Sequence, residues 1–381
     1  MTRSARIAAV GCLVLAALAA SGCAPTPARE AAPPIVSPTS VTPSPSAAAT
    51  GAWRVDGAPQ ALATGLAAPW SVVPVRDGGA LISQRDDGTV VELTPAGEVR
   101  TAGTVPGVVS GGESGLHGLA LLERDEVTWL YAYYGASDDN RVVRMPLLGE
   151  SGALSLGESE LVFAGIPRAN THNGGRIAFG PDGMLYVATG DAQNRDAPQD
   201  PGALGGKILR LDPEGDPAPG NPWDSAVYSM GHRNVQGLAW TQDGTMWASE
   251  FGQDTWDELN RIEAGGNYGW PVVEGNAGRE GMIDPVVTWA TDDASPSGIA
   301  AVGDTVFLAS LRGERLWVVD TADGADAGEP IAVLAGDQGR LRDAVAAPDG
   351  TLWVLTNNTD GRGSPRPEDD LLLRLRLAPA P

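Results

Sequence analysis

A phrase of two short apolar strands around Asp-Gly recurs through the second half of the chain and constrains its fold more than any other feature. It reads FGPDGMLYVATGD at 179–191, WTQDGTMWASEFG at 240–252 and APDGTLWVLTNN at 347–358, with an earlier form, RDDGTVV, at 85–91. Asp and Gly accept the positive φ that a tight hairpin turn demands, and the flanking Val, Leu, Trp and Tyr suit pleated, half-buried strands. Gly183 and Gly244 are 61 residues apart, and Gly244 and Gly350 are 106 apart, about two units of 53. Dividing roughly 330 residues by that unit gives six repeats, each long enough for four short strands. With 50 Gly and 30 Pro, hardly any window supports a long amphipathic helix. The expected fold is all-β, a six-bladed β-propeller, in which radial packing buries the sheet faces. A strand near 52–55 and the terminal stretch 371–377 are expected to share one blade and close the ring. A pair of β-sandwiches is the alternative, but it leaves the spacing unaccounted for.

The first residues read as a targeting segment. Arg3 and Arg6 precede an apolar run at 7–20, too short for a span of about 20 apolar residues, and Ala20-Ser21-Gly22-Cys23 supplies small residues ahead of a cysteine. This resembles a bacterial lipoprotein signal, which implies removal of residues 1–22, lipidation of Cys23 and a place on the outer face of the cell membrane. An ordinary signal peptide cut nearby is the alternative. Residues 23–50 are mostly Pro, Ala, Ser and Thr and read as an extended tether. The folded domain is expected at 51–381. Cys12 and Cys23 are the only cysteines, so this domain has neither thiol nor disulfide. The formal net charge of −22 becomes −24 without residues 1–22, which disfavours nucleic acid and anionic surfaces as partners. The membrane is expected to be touched only through the lipid.

In a propeller, ligands meet loops at one end of the central channel. Two segments precede the Asp-Gly strands at matching offsets: Asn170-Thr171-His172-Asn173-Gly174-Gly175-Arg176 and Gly231-His232-Arg233-Asn234. Gly339-Arg340-Leu341-Arg342-Asp343 stands at the corresponding place before the last phrase, and Arg312 in Leu311-Arg312-Gly313 is expected to meet them. Equal offsets place these residues at equal height in their blades, which gathers an imidazole and several guanidinium groups at one mouth. Beyond the 240–252 hairpin, Asp254, Asp257 and Glu258 form an acidic stretch suited to a hard cation.

Taken together, HNGGRIAFGPDGMLYVATGD, GGKILRLDP, GHRNVQGLAW, DELNRI, GGNYGWP and RLRDAVAAPDG resemble the soluble pyrroloquinoline-quinone (PQQ)-dependent aldose dehydrogenases of the glucose/sorbosone dehydrogenase family, over about 65–375. The resemblance implies a six-bladed propeller, PQQ and Ca²⁺ as cofactors, and an aldose as substrate. It implies that His172 is the general base for the sugar C1 hydroxyl, that Asp191 orients it, and that Arg233 faces the quinone oxygen. Asn234 is implied as a cofactor hydrogen-bond donor, Arg312, Arg340 and Arg342 as partners of the cofactor carboxylates, and Glu113 as a further cofactor contact. The backbone carbonyls of Gly252 and Gln253 are implied as calcium ligands, although Gln253 stands where proline is more usual. Glu258 and Tyr268 match a second, structural calcium site. His117 is expected to be structural or rim-facing, and the loop 192–203 to set sugar selectivity. The natural electron acceptor is left open, as is the choice between monomer and dimer. Two other functions stay open: a calcium-dependent propeller lactonase or hydrolase, which would need carboxylates lining the channel, and a sugar-binding envelope propeller without turnover.

Overall fold

Three of the four Asp-Gly phrases turn the chain from the first to the second strand of a four-stranded antiparallel sheet. They join Ile177–Phe179 to Leu185–Ala188, Val235–Trp240 to Met246–Glu250, and Leu341–Ala346 to Leu352–Thr356. The turn glycines Gly183, Gly244 and Gly350 sit at φ +76, +87 and +78, where a side chain would be strained. The fourth phrase is out of step. Asp87-Gly88 joins the second and third strands of its sheet, Ala80–Gln84 and Thr89–Leu93, and so lies at the other end of it.

The computed structural model describes residues 51–76, 78–322, 324 and 327–381. The signal segment 1–22, Cys23 and the tether 23–50 lie outside the described residues. Six sheets follow one another in sequence. Blade 1 is Pro69–Pro74, Ala80–Gln84, Thr89–Leu93 and Val99–Thr104. Blade 2 is Leu116–Arg124, Val127–Gly135 and Asn140–Leu148, with Ser155–Leu156 and Glu160–Ile166 both paired to its third strand. Blades 3, 4 and 5 begin at Ile177–Phe179, Val235–Trp240 and Pro296–Val302. Blade 6 is built from Leu341–Ala346, Leu352–Thr356 and Leu372–Leu375, and its outer strand is Gln60–Ala63 from the start of the domain. The first strand of each blade packs on the first strands of both neighbours, so the ring is closed.

The closure differs in detail from the expectation. The strand inside blade 6 is Gln60–Ala63, paired with Leu372–Leu375. The earlier strand, Trp53–Val55, pairs instead with Leu377–Pro379 as a separate two-stranded ribbon. The lack of alternation explains the difference: in Gln60–Ala63 only Ala63 is fully buried, so this outer strand carries almost no apolar signal in the sequence.

Burial follows the radial plan, with one hydrophobic cluster at each blade-to-blade interface. Blades 1 and 2 share Leu81, Val90, Leu116 and Leu130, and blades 6 and 1 share Ile82, Leu93, Trp353 and Leu355. The four other interfaces are built in the same way. At the axis, Arg176 of blade 3 reaches Asp343 of blade 6 at 2.9 Å, with both side chains nearly inaccessible. The same guanidinium donates to Ser71 Oγ of blade 1 at 3.2 Å and to the Gln236 carbonyl of blade 4 at 2.9 Å. One buried cation thus ties four blades together through Nε and Nη1, with Nη2 left unpartnered. Removing one partner would strand the other charge in the interior. A chain starting at residue 65 lacks the closing strand. Relative to a chain starting at residue 51, its thermal midpoint is expected to fall by more than about 5 °C; circular dichroism on the two chains checks this.

Candidate active site

All six blades contribute to a cavity of about 310 Å³ at one end of the channel. Its wall comes from two kinds of loop: those that enter a first strand, and those that join second and third strands. The former supply Glu113, Asn173, Gly174, Ser295 and Arg340, and the latter Arg85, Phe251, Arg312 and Arg362. Trp70, His117, Gln236 and Arg342 sit at the starts of first strands and form its floor.

Among the described residues, five arginines line this cavity and only one acid, Glu113, does. Arg340 is held by Asp360 at 3.0 Å, and its Nε is buried without a partner. Arg342 is engaged more completely, through Asn357 at 2.8 and 3.1 Å, Gln236 at 2.9 Å and Ser297 at 3.4 Å. Burial pulls its pKa down to about 9, with Asp360 working in the opposite direction. Arg312 differs from the other expected partners, since 62% of its side chain is exposed and it pairs with Asp292 at the rim. Arg362 pairs with Glu113 at 3.0 Å, and Arg85 with Asp86 at 2.7 Å. These last two were not singled out in the sequence. Both stand in loops between second and third strands, as Arg312 does, but at different distances beyond the second strand, so no common offset marks them.

The expected imidazole–carboxylate pair forms. His172 Nδ1 lies 2.8 Å from Asp191 Oδ1, while no described residue bonds Nε2. Backbone geometry makes the approach possible. His172 sits at φ +59, in the left-handed region, and donates its own N–H to Glu113 Oε2 at 2.9 Å. Gly190, just before Asp191, must be glycine because a Cβ there would collide with the His172 carbonyl. Asp191 is buried and also accepts from Trp270 Nε1 at 2.9 Å and from the Gln193 N–H at 2.8 Å. Burial works against its charge, but the bonds from His172, Trp270 and Gln193 outweigh it and hold the carboxyl below its usual range.

Arg233 and Asn234 are not lining residues, but each bonds one that is. Arg233 donates to the Phe251 carbonyl at 3.2 Å and stacks over Trp270 at 5.4 Å, and its Nε is buried without a partner. Burial lowers its pKa, against the pull of Asp191, Glu250, Glu274 and Glu113. Asn234 Oδ1 accepts the Gly174 N–H at 3.0 Å. Next to them, Glu274 Oε1 accepts the N–H groups of Gln253, Thr255 and Trp256 at 2.8, 3.2 and 3.1 Å, and Asp257 accepts that of Gly252 at 2.9 Å. With its N–H groups bound in this way, the loop keeps the carbonyls of Gly252 and Gln253 free of any hydrogen bond among the described residues. The Gln253 N–H bond to Glu274 is one that a proline could not make.

Glu258 and Tyr268 are both buried but do not bond to each other. Glu258 accepts from the Gly275 N–H at 2.8 Å and from Asn260 at 3.1 Å, and stands opposite Glu250 across two paired strands. Burial and the nearby Glu250 raise its pKa to about 8. The Tyr268 hydroxyl donates to the Arg261 carbonyl at 2.7 Å. The two other histidines are buried and held by their neighbours. His232 is buried between Ser229 and Glu250, each at 2.8 Å. His117 is stacked between Trp70 and Tyr133, at 5.0 and 5.8 Å, and burial lowers its pKa to about 3.

A six-bladed propeller with clustered guanidinium groups in its cavity, and an imidazole–carboxylate pair on the loop that supplies Asn173 and Gly174 to the wall, defines a class of protein that can hold a small polyanion near a proton acceptor. The profile of the Glucose / Sorbosone dehydrogenase family matches residues 66–374, and the chain belongs to that family. It is 49% identical to the aldose sugar dehydrogenase of Streptomyces coelicolor, solved in a PQQ-bound form, with a TM-score of 0.81 over 87% of this chain and 99% of that one. It is 29% identical to an aldose sugar dehydrogenase of Escherichia coli K12, over 77% of this chain and 88% of the relative. It is 31% identical to the quinoprotein glucose dehydrogenase B of Acinetobacter calcoaceticus, over 52% of this chain and 49% of that protein.

The lowered pKa of Asp191 gives a prediction with a definite sign. Its stabilising contribution is complete above the ordinary Asp range and is lost as pH falls through the lower folded-state value. The difference in thermal stability between the parent and Asp191→Asn is therefore expected to be full above about pH 4 and to shrink below it. Unfolding scans across acid pH check this.

Proposed function

We propose that the protein is a PQQ- and calcium-dependent aldose dehydrogenase that oxidises a sugar at C1 to the lactone. The observation that carries this reading is the free Nε2 of His172, which directly precedes Asn173 and Gly174 in the wall of a cavity faced by five guanidinium groups. Those donors fit a flat tricarboxylate: arginine stays charged and offers paired N–H groups to carboxylates. Arg340 offers a buried, unpartnered Nε, while Arg312 and Arg362 offer exposed faces. Arg342 and Glu113 shape the pocket while engaged with protein partners.

A bound quinone would supply the acceptor for the hydride that leaves C1. His172 Nε2 takes the hydroxyl proton as that C–H bond breaks, and Asp191 keeps Nδ1 protonated and balances the imidazolium that forms. Trp270 and Gln193 hold Asp191 in its ionised form throughout. The Arg233 guanidinium, with an unspent Nε, supplies positive charge where the oxygen of the acceptor gains electrons. The free carbonyls of Gly252 and Gln253 suit a hard cation, and Ca²⁺ held there would act as a Lewis acid. A second Ca²⁺ beside Glu258 would offset its repulsion with Glu250, with the Tyr268 carbonyl as a further ligand. A hydrolase would need carboxylates facing the channel, and Glu113, already paired with Arg362, is the one acid there. Lipidation at Cys23 and the tether 23–50 would hold the propeller at the outer face of the membrane.

Reconstitution with PQQ, Ca²⁺, aldoses and a dye acceptor tests the reading, and dye reduction that disappears with a chelator is the expected result. His172→Gln is expected to lower turnover by about 10³-fold while leaving quinone affinity nearly unchanged. Arg340→Ala is expected to weaken quinone binding by roughly tenfold or more, read by absorbance titration. Unchanged values would remove these residues from the assigned roles.

A further inference from the structure

Of the 26 basic residues in the chain, Lys207 alone is lysine. It opens the strand Lys207–Leu211 of blade 3 and is fully buried. No carboxylate lies within ion-pair distance among the described residues. Its ammonium instead donates to three carbonyl oxygens, those of Ala197 at 2.6 Å, Gly205 at 2.8 Å and Pro198 at 3.1 Å. A compact ammonium has three rotatable donors that can meet three converging acceptors, whereas the planar fork of arginine cannot. Burial pushes the pKa of this group down to about 8, with Asp200 opposing, so it carries its charge at neutral pH.

All three carbonyls belong to residues 192–206, the segment that leaves Asp191 and returns to blade 3. Its other ties run to the candidate site. Gln193 donates its N–H to Asp191, and its side chain donates to Thr171 Oγ1 at 3.0 Å, next to His172. The Arg195 guanidinium stacks 4.3 Å over Trp270, the indole that donates to Asp191, and bonds the Gln253 side chain. Gln199 donates to the Trp270 carbonyl at 2.7 Å, and the Pro198 carbonyl accepts the Gly231 N–H at 2.9 Å. One end of the segment is therefore fixed at the imidazole–carboxylate pair and the other around a buried ammonium.

We propose that Lys207 is a positioning residue: its ammonium is an internal cation that holds segment 192–206 as a fixed wall beside His172 and Asp191. The functional half of this inference rests on the dehydrogenase reading. Without the ammonium, three carbonyls lose their donor, and the wall that carries Gln193 and Arg195 relaxes.

Two measurements test it. In Lys207→Met holoenzyme, kcat/KM for an aldose is expected to fall by roughly tenfold or more, while quinone affinity from absorbance titration stays within about threefold of the parent. Unchanged kcat/KM overturns the proposal, and so does a loss of quinone affinity in parallel with turnover, which marks a merely structural lysine. The second measurement uses the parent protein and keeps the test open if the variant does not fold. Lys207 is the only side-chain amine, so reductive methylation of the holoenzyme with formaldehyde, followed by peptide mass spectrometry, reads it directly. The expected result is that Lys207 stays unmodified while added free lysine is consumed, and that activity falls in proportion as Lys207 is eventually methylated. Methylation as fast as that of free lysine, or full activity after methylation, contradicts the proposal. A parent that binds no quinone and oxidises no aldose would sink the dehydrogenase reading instead, with the protection of Lys207 still measured separately.

Discussion

Like charges gathered in one cavity repel, and Arg85, Arg312, Arg340, Arg342 and Arg362 all face the central cavity of a chain whose formal charge is −22. Their counter-charges are Asp86, Asp292, Asp360 and Glu113, with Asp360 shared between Arg340 at 3.0 Å and Arg342 at 3.7 Å. Four carboxylates therefore answer five guanidinium groups. A cavity left one negative charge short of neutrality, with buried N–H donors still unspent, is completed by an anionic guest. The closed ring of blades makes the arrangement possible, because it brings loops distant in sequence to one mouth and holds them against their mutual repulsion.

The same ring separates charges that serve the fold from those that serve a ligand. Arg176 lies in the segment expected at the channel, yet its bonds to Asp343, Ser71 and Gln236 make it an axle between blades. His232 is locked through both ring nitrogens and His117 is buried by stacking with its Nδ1 unpartnered, which leaves His172 as the part-exposed histidine with a free ring nitrogen. That nitrogen is free because the other is engaged by Asp191, and Asp191 is in reach because a left-handed residue and a glycine let two backbone segments touch.

Much of this was legible in the sequence because tight hairpins need particular residues. Asp-Gly at 182–183, 243–244 and 349–350 gave both the blade count and the height of the loops holding His172, Arg233, Arg340 and Arg342. What was not legible has physical reasons. Asp87-Gly88 follows the same turn chemistry one hairpin later, so the phrase alone does not say which pair of strands it joins. Gln60–Ala63 closes the ring through backbone pairing with little apolar burial, and so leaves no pattern. Arg85 and Arg362 enter from loops between second and third strands, whose lengths differ from blade to blade. The commitment of Arg342 to Asn357 and Gln236 depends on contacts between residues up to 106 positions apart, which spacing does not encode.

A crystal structure of the protein grown with PQQ and Ca²⁺ tests the central claim most directly. The account predicts one quinone in the central cavity, with carboxylates within hydrogen-bond distance of Arg340 and its reactive carbonyl beside Arg233 and His172 Nε2. Quinone density elsewhere on the propeller, or a cavity holding only solvent at saturating quinone, would contradict it.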